Sequence, residues 1–236
     1  MLNTAIIVAG GFGTRLQSRV HDVPKPMAPV NAEPFLNYQL RFLKHYGITK
    51  IILSVGHLAN KIQDYYQSSF EGLQITYALE EKPLGTGGGI RLALQNCTEE
   101  SVFVLNGDSF FDIDLPTFYG LHLQKHAQIS LALRKVKDAA RYGTIQKEED
   151  DRITLFSEKS GHTKEGLINA GIYILDRKVF LNNTVADKRF SIEKDFFEKQ
   201  LQHLIMKGFD FEGYFIDIGI PEDYEKAQDD FKGFNY

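Results

Sequence analysis

The stretch Ala5-Ile6-Ile7-Val8-Ala9-Gly10-Gly11-Phe12-Gly13-Thr14-Arg15-Leu16 joins a short apolar run directly to a glycine-rich turn. An apolar run without polar alternation fits a strand buried on both faces, as in a parallel sheet. The glycines let backbone N–H groups approach phosphate oxygens closely, because no Cβ intervenes. Two standard phosphate loops do not fit. A dinucleotide fingerprint needs a third glycine where Leu16 stands, and a Walker A loop needs Gly-Lys-Ser/Thr, whereas Arg15 follows Thr14. A Gly-Gly pair after a strand is also an ordinary tight turn. Arg15 and the following Pro24-Lys25-Pro26-Met27 favour the phosphate reading. Prolines on both sides of Lys25 restrict its backbone and are expected to keep it out of a helix, giving a stiffly held cation beside the turn.

Outward from this stretch, strand and helix patterns alternate. Asn37 to Tyr46 reads as a helix stopped by Gly47, Ile51 to Val55 as a strand and Ala59 to Tyr66 as a helix. Leu73 to Leu79 reads as a strand, Gly88 to Leu94 as a helix and Val102 to Leu105 as a fourth, buried strand. Repeated units of this kind imply right-handed crossovers and a parallel, doubly wound α/β sheet, with ligands at the carboxyl ends of its strands. The second half is more mixed. Ile129–Arg134, Thr144–Gln146, Ile153–Phe156 and Ile168–Leu175 read as strands, some of them antiparallel. Phe190 to Leu201 reads as an acidic and aromatic helix, Phe209 to Ile216 as a late strand, and a last helix begins at Pro221. With no repeat, low-complexity tract or linker, residues 1–236 are expected to form a single domain.

Composition narrows the classes. The 236 residues are 43% hydrophobic and 25% charged, ordinary for a soluble globular chain. A net charge of −4, from 27 basic and 31 acidic residues interspersed along the chain, shows no basic stripe for nucleic acid. Anionic small molecules stay open, because a local cluster of cations matters more than the total. The single cysteine, Cys97, excludes an internal disulfide framework. The start carries no secretory signal, and no apolar run reaches the roughly 18 residues of a membrane span. A cytoplasmic setting is the expectation, and a homo-oligomer is compatible with a sequence that leaves the oligomeric state open.

The carboxylates are ambiguous by themselves. Asp108 ends the fourth strand in Leu105-Asn106-Gly107-Asp108, where an isolated acid is usually a turn or helix cap. Asp112 and Asp114 follow, and Asp114 is read as capping a helix from Leu115-Pro116. Glu222 and Asp223, in the first turn after Pro221, are read as offsetting the helix dipole. His122 and His126 have the i, i+4 spacing of zinc ligands, but no glutamate of a His-Glu-x-x-His pattern accompanies them. They are read as a solvated helix face. Cys97 gives no nucleophile signal, and phosphoryl-type transfer needs none.

Gly-Gly-Phe-Gly-Thr-Arg-Leu with Pro-Lys-Pro-Met resembles the signature of the sugar-phosphate nucleotidyltransferases, and the likeness runs from about Ala5 to about Tyr224. The resemblance implies a three-layer, Rossmann-like (GT-A-type) α/β fold with a mixed, mainly parallel sheet. It implies an enzyme that joins an NTP to a sugar 1-phosphate, releasing pyrophosphate with the help of Mg²⁺. By the same likeness Gly10, Gly11, Gly13 and Thr14 wrap the nucleotide phosphates, Arg15 holds the departing pyrophosphate, and Lys25 stabilises charge at the α-phosphate. Asp108 matches the family's Gly-Asp metal site, with Ser109 fitting the serine or threonine that follows it. Asp217, in Asp217-Ile218-Gly219-Ile220-Pro221-Glu222-Asp223-Tyr224, matches the second metal ligand. Tyr142, Gly143, Glu158, Lys159 and Asn169 match the sugar side, Lys159 binding its phosphate. Glu80, Gly85 and Thr86 lie in a segment resembling the base-reading loop.

A carboxylate at position 80 suits guanine, whose N1–H and N2–H lie side by side, so GTP is the expected nucleotide. The compact length, the Glu80 loop and the stretch from Asn106 to Asp112 are most similar to the D-glycero-α-D-manno-heptose 1-phosphate guanylyltransferases, which make GDP-heptose for bacterial surface glycans. The end of the chain soon after the Asp-Ile-Gly segment implies no C-terminal β-helical domain. Two rival readings are a uridylyltransferase acting on hexose or N-acetylmuramic acid 1-phosphate, and a non-catalytic sensor of nucleotide sugars. The intact Arg15, Lys25, Asp108 and Asp217 argue against the sensor.

Overall fold

The computed structural model describes residues 2–11, 16, 20, 22–157, 165–234 and 236. Its first half holds strands β1 (Thr4–Val8), β2 (Pro29–Val30) and β3 (Glu33–Pro34), helix α1 (Phe35–His45), β4 (Lys50–Val55), α2 (Ala59–Tyr66), β5 (Ser69–Phe70), β6 (Leu73–Leu79), α3 (Gly85–Leu94) and β7 (Ser101–Asn106). Then come β8 (Ser109–Phe111), α4 (Leu115–Gln124), β9 (Ile129–Val136), β10 (Thr144–Lys147), β11 (Ile153–Ser157), β12 (Gly166–Asp176) and α5 (Arg177–Asn182). A π-helical stretch (Ile192–Phe197) runs into α6 (Glu198–Gln200), followed by β13 (Met206–Asp210), β14 (Phe215–Asp217) and α7 (Pro221–Asp230). Among the described residues no helix is long and apolar enough to cross a membrane.

The expected parallel, doubly wound core is present. In the sheet order β6-β4-β1-β7 every pair is parallel, with Ile6 opposite Ile52 on one side and Val104 on the other. Strand order reverses between β1 and β7, because the chain lays β4 and β6 to one side of β1 and β7 to the other. That switch opens a crevice at the carboxyl ends of the two strands. Alternate residues feed two cores. Ala5, Ile7, Ile51, Leu53, Phe103 and Leu105 pack with α1 and α2, while Ile6, Ile52, Val102 and Val104 pack with α3, α5 and the π-helical stretch. This two-sided burial explains why these strands carry unbroken apolar runs.

The antiparallel expectation for the second half is met by β12, which pairs antiparallel with β7, β9 and β10. It lies against β10 at Leu167–Ile168 and against β7 from Ile172 onward, so the sheet forks at Asn169–Gly171. At the fork Gly171 has φ +80°, and a Cβ there would come within 2.6 Å of Ser109 Oγ. Glycine is required on both counts.

Four sequence readings need correction. The strand expected over Phe209–Ile216 is two strands in different sheets: β13 pairs with β9, and β14 pairs with β8. The break falls at Gly213, which packs against the carbonyl of Asp112 with no room for a Cβ. The helix expected over Phe190–Leu201 begins at Ile192 and winds as a π-helix before α6. Lys25 is not kept out of helical structure altogether, since Lys25–Met27 form one 3₁₀ turn; a proline at the start of a turn lacks only an N–H that would go unused there. His122 is not solvated. It is 3% exposed and its Nδ1 lies 2.8 Å from Ser130 Oγ, whereas His126 is exposed past the end of α4. Asp114 does cap α4, accepting from the Thr117 N–H at 2.7 Å.

Burial lowers the His122 pKa from its ordinary 6.5 to about 4. Below pH 6.5 the unfolded chain takes up a proton that the folded chain refuses, so this residue lends stability at neutral pH that is lost as pH falls toward 4. We expect the thermal midpoint of the wild type to fall between pH 6.5 and 5, before the carboxylates titrate. In His122→Gln that slope should flatten, and parallel pH–melting curves would refute the assignment.

Candidate active site

β1 ends at Val8, and the Ala9 N–H donates to Ser54 O at 2.8 Å, so Gly10 and Gly11 leave the sheet on a fixed heading. β7 ends beside it, where the Gly107 N–H donates to Val8 O at 3.0 Å. A Cβ on Gly107 would sit 2.6 Å from that oxygen and 3.0 Å from Pro26 Cγ. Only glycine permits this approach, and the approach carries Asp108 into the crevice.

The second carboxylate arrives through a short ladder. β8 and β14 pair antiparallel with Ser109 opposite Asp217, and the Ile218 N–H donates to Asp108 O at 2.9 Å. Two acids far apart in sequence thus face one cavity of about 670 Å³. The Asp217 Oδ1 accepts from the Gly219 N–H at 2.7 Å. Lys25 Nζ lies 3.0 Å from Asp108 Oδ2, with 13% of the lysine side chain exposed against 36% of the aspartate's. The same ammonium borders the Asp217 turn, since a Cβ on Gly219 would be 3.3 Å from it. Lys25, Asp108 and Asp217 therefore form one partly desolvated charge cluster, where electrostatic interactions outweigh their strength in water.

The remaining expected residues divide. Gly11, Thr86, Tyr142, Gly143 and Asn169 line the cavity with Lys25, Asp108 and Asp217. The Asn169 amide is aimed by its neighbours: its Nδ2 donates to the buried Tyr173 hydroxyl at 2.7 Å, and its Oδ1 accepts from the Gly171 N–H at 3.0 Å. Tyr142 packs on Phe215, and the Arg141 guanidinium lies over its ring while pairing with Asp223 Oδ2 at 2.6 Å. Asp223 thus fixes the Tyr142 loop to α7, beyond its place in the first turn of that helix. Gly13, Thr14, Arg15, Glu158 and Lys159 lie outside the described residues.

Glu80 stands apart from the main cavity. Its carboxylate lies among glycines, where a Cβ on Gly10 would be 2.8 Å from Oε1 and one on Gly89 would be 2.6 Å from it. Oε2 accepts from the Leu84 N–H at 2.8 Å, and Ser54 Oγ donates to Oε1 at 3.4 Å. Burial raises its pKa. Gly10 therefore joins Glu80 rather than the cavity wall. Gly85, at φ +73°, packs on Phe190 O, and the Thr86 hydroxyl accepts from the Ile192 N–H at 2.9 Å.

That last contact leads to a wall the sequence motifs did not indicate. Ser191, Glu193, Lys194 and Glu198 line the same cavity as Asp108, as do Asn106 and Phe156. Glu193 Oε2 accepts from Ser191 Oγ at 2.9 Å and from Thr86 Oγ1 at 3.4 Å. The acidic and aromatic character of this segment was visible in the sequence. Its π-helical winding, which decides which acids face inward, was not.

A cleft at a strand-order switch, holding two carboxylates, a lysine and the Gly11 backbone, suits a phosphate-bearing ligand with a divalent cation. The family model described as Nucleotidyl transferase matches residues 4–232. The chain belongs to this family. Members of the nucleotidyl transferase family generally use a divalent metal, and the enzyme class expected from the glycine turn is thereby established. The chain is 44% identical over 224 residues to the D-glycero-alpha-D-manno-heptose 1-phosphate guanylyltransferase of Aneurinibacillus thermoaerophilus, covering 95% of this chain and 96% of the relative. It is also 44% identical over 220 residues to the enzyme of that name from Campylobacter jejuni, covering 93% and 96%. Among solved structures, HddC from Yersinia pseudotuberculosis complexed with GMP-PN superposes with a TM-score of 0.85 at 35% identity, covering 98% of this chain and 100% of the other.

Gly107→Ala tests how tightly the site is built. The added methyl must displace the β1 backbone, and overpacking of this kind costs about 1–3 kcal/mol. At about 2–4 °C per kcal/mol for a chain of this size, the thermal midpoint should drop by at least about 2 °C. Nucleotidyl transfer should fall with it, because Asp108 moves. Wild-type melting and wild-type turnover together would show that the approach of β7 to β1 is not needed.

Proposed function

We propose that this nucleotidyltransferase transfers the guanylyl group of GTP to D-glycero-α-D-manno-heptose 1-phosphate, giving GDP-heptose and pyrophosphate. The observation that carries this reading is 44% identity across nearly the whole of both chains to two enzymes of that name. Support for GTP comes from the GMP-PN complex of HddC, whose chain this one covers almost entirely. The product is of the class that feeds bacterial surface polysaccharide, which fits a cytoplasmic enzyme.

The reaction is an in-line displacement. An oxygen of the sugar 1-phosphate forms a bond to the α-phosphorus of GTP, and the bond from that phosphorus to the bridging oxygen breaks, with the electron pair leaving on pyrophosphate. Lys25 stands at the cluster where the α-phosphate would lie, and its ammonium offsets the negative charge that builds up there. By the motif match, Arg15 holds the leaving pyrophosphate and Lys159 the sugar phosphate, with Glu158, Asn169, Tyr142 and Gly143 orienting the sugar. The backbone of Gly11, with Gly13 and Thr14, would receive the triphosphate, while Gly10 packs against the Glu80 carboxylate.

Asp108 and Asp217 fit Mg²⁺. They supply hard oxygen ligands on adjacent, paired segments, and Mg²⁺ typically takes one or two protein carboxylates together with substrate phosphates and water. When bound, the ion would neutralise charge on the phosphates between the two substrates. Asp108→Asn and Asp217→Asn should each cut turnover by at least about a hundredfold while melting as the wild type does, an effect of the size seen when a charge-stabilising group is lost. Pyrophosphate release from GTP and the heptose 1-phosphate reports this. Full Mg²⁺-dependent activity in both variants would reject the metal assignment.

Glu80 is proposed to accept from guanine N1–H and N2–H. Glu80→Gln presents an NH₂ donor in place of an acceptor, at a cost of roughly 1.5–3 kcal/mol for a charge-assisted bond. The kcat/KM for GTP should fall about ten- to a hundredfold, and that for UTP or dTTP should fall less or rise. Equal losses with all nucleotides would make Glu80 only a brace for the Leu84 turn.

A further inference from the structure

Gln39 is a polar residue on the inward face of α1, 1% exposed. Its Nε2 donates to two backbone carbonyls, Asn106 O at 2.8 Å and Ser109 O at 2.6 Å. Those carbonyls flank Gly107-Asp108, the two residues between β7 and β8. Both N–H groups of the amide are thus spent on the turn that carries Asp108. The other end of the same side chain, Oε1, is buried with no hydrogen-bond partner among the described residues. A buried acceptor left unpaired is unfavourable, and an apolar side chain of similar volume would avoid it. The local packing therefore does not account for a glutamine, whereas the turn does.

The turn is held from three directions. The Gly107 N–H is tied to Val8 O and Asp108 O to the Ile218 N–H, both backbone contacts within the sheet edges. Gln39 supplies a brace from the helical layer beneath, and it alone of these three contacts depends on a side chain.

We propose that Gln39 is a positioning residue for the metal centre: it fixes the Asn106–Ser109 turn so that the Asp108 carboxylate is held on the cavity side with Asp217, where the two would hold the cation. The inference rests on the reading of Asp108 as a metal ligand. Groups that orient a ligand from behind typically contribute ten- to a hundredfold in metal affinity, and Gln39 acts in this way through the backbone rather than through the carboxylate itself.

The test uses Gln39→Met, which keeps volume and removes both donors, with Asp108→Asn as comparator. Mn²⁺ is the probe, titrated into each protein with a non-hydrolysable GTP analogue and followed by water-proton relaxation, which separates protein-bound ion from ion on free nucleotide. We expect Asp108→Asn and Gln39→Met each to weaken Mn²⁺ binding by about tenfold or more, with the Gln39→Met protein still folded by circular dichroism. Binding of the GTP analogue at saturating Mn²⁺ should stay within about twofold of the wild type, a split that general loosening of the fold would not give. If Gln39→Met does not fold, Gln39→His, which retains one ring N–H, should show an intermediate loss of Mn²⁺ affinity. Wild-type Mn²⁺ affinity in the folded Gln39 variant, beside a weakened Asp108→Asn, overturns the inference alone. Wild-type affinity in Asp108→Asn overturns the metal reading and this inference with it.

Discussion

Strand β1 is paired on both sides, to β4 through Thr4–Val8 and to β7 through Ala5–Val8, and the site hangs from its carboxyl end. The parallel register places the end of β7 level with the end of β1, so that the Gly107 N–H reaches Val8 O. From that single level surface Gly10 and Gly11 leave on one side and the Asp108 turn on the other. Slipping the register by one residue would turn Ile6 and Val104 into the opposite core and carry Asp108 away from Lys25. The hydrophobic alternation that feeds the two cores is therefore also what aligns the charged groups.

The charged groups themselves are mutually unfavourable without one another. Two aspartates brought together by the Ser109–Asp217 ladder repel, and the Lys25 ammonium, 3.0 Å from Asp108, offsets that repulsion. The cluster is poised for exchange rather than for rigidity. A lysine bound to a carboxylate at a partly exposed site gains little net stability, so the two groups can be separated at modest cost.

The other half of the cavity is made by interruptions in regular structure. β12 leaves β10 for β7 at Asn169–Gly171, and the opening created by this fork lies next to Asn106 and Asp108. The π-helical turn at Ile192–Phe197 faces it, tied to the start of α3 by the Thr86 hydroxyl and by the pairing of Phe190 with Leu84 and Gly87. The segment expected to contact the nucleotide base is thus hydrogen-bonded to the π-helical wall, which the sequence motifs did not indicate.

Local sequence determined a good deal. The apolar run before Gly10, the cap at Asp114 and the helix from Pro221 all follow from propensities that act within a few residues, and the motif match supplied the family and the paired aspartates. Tertiary structure decided the rest. His122 faces inward because α4 lies on β9, which no spacing within the helix reveals. Phe209–Ile216 splits because its two ends pair with strands in different sheets. Gln39 looks like any polar residue of an amphipathic helix until α1 is seated under the β7–β8 turn. Each of these depends on which distant backbone groups remain unpaired when the sheet closes. That is a property of strand pairing between remote segments, and a single run of sequence does not encode its register.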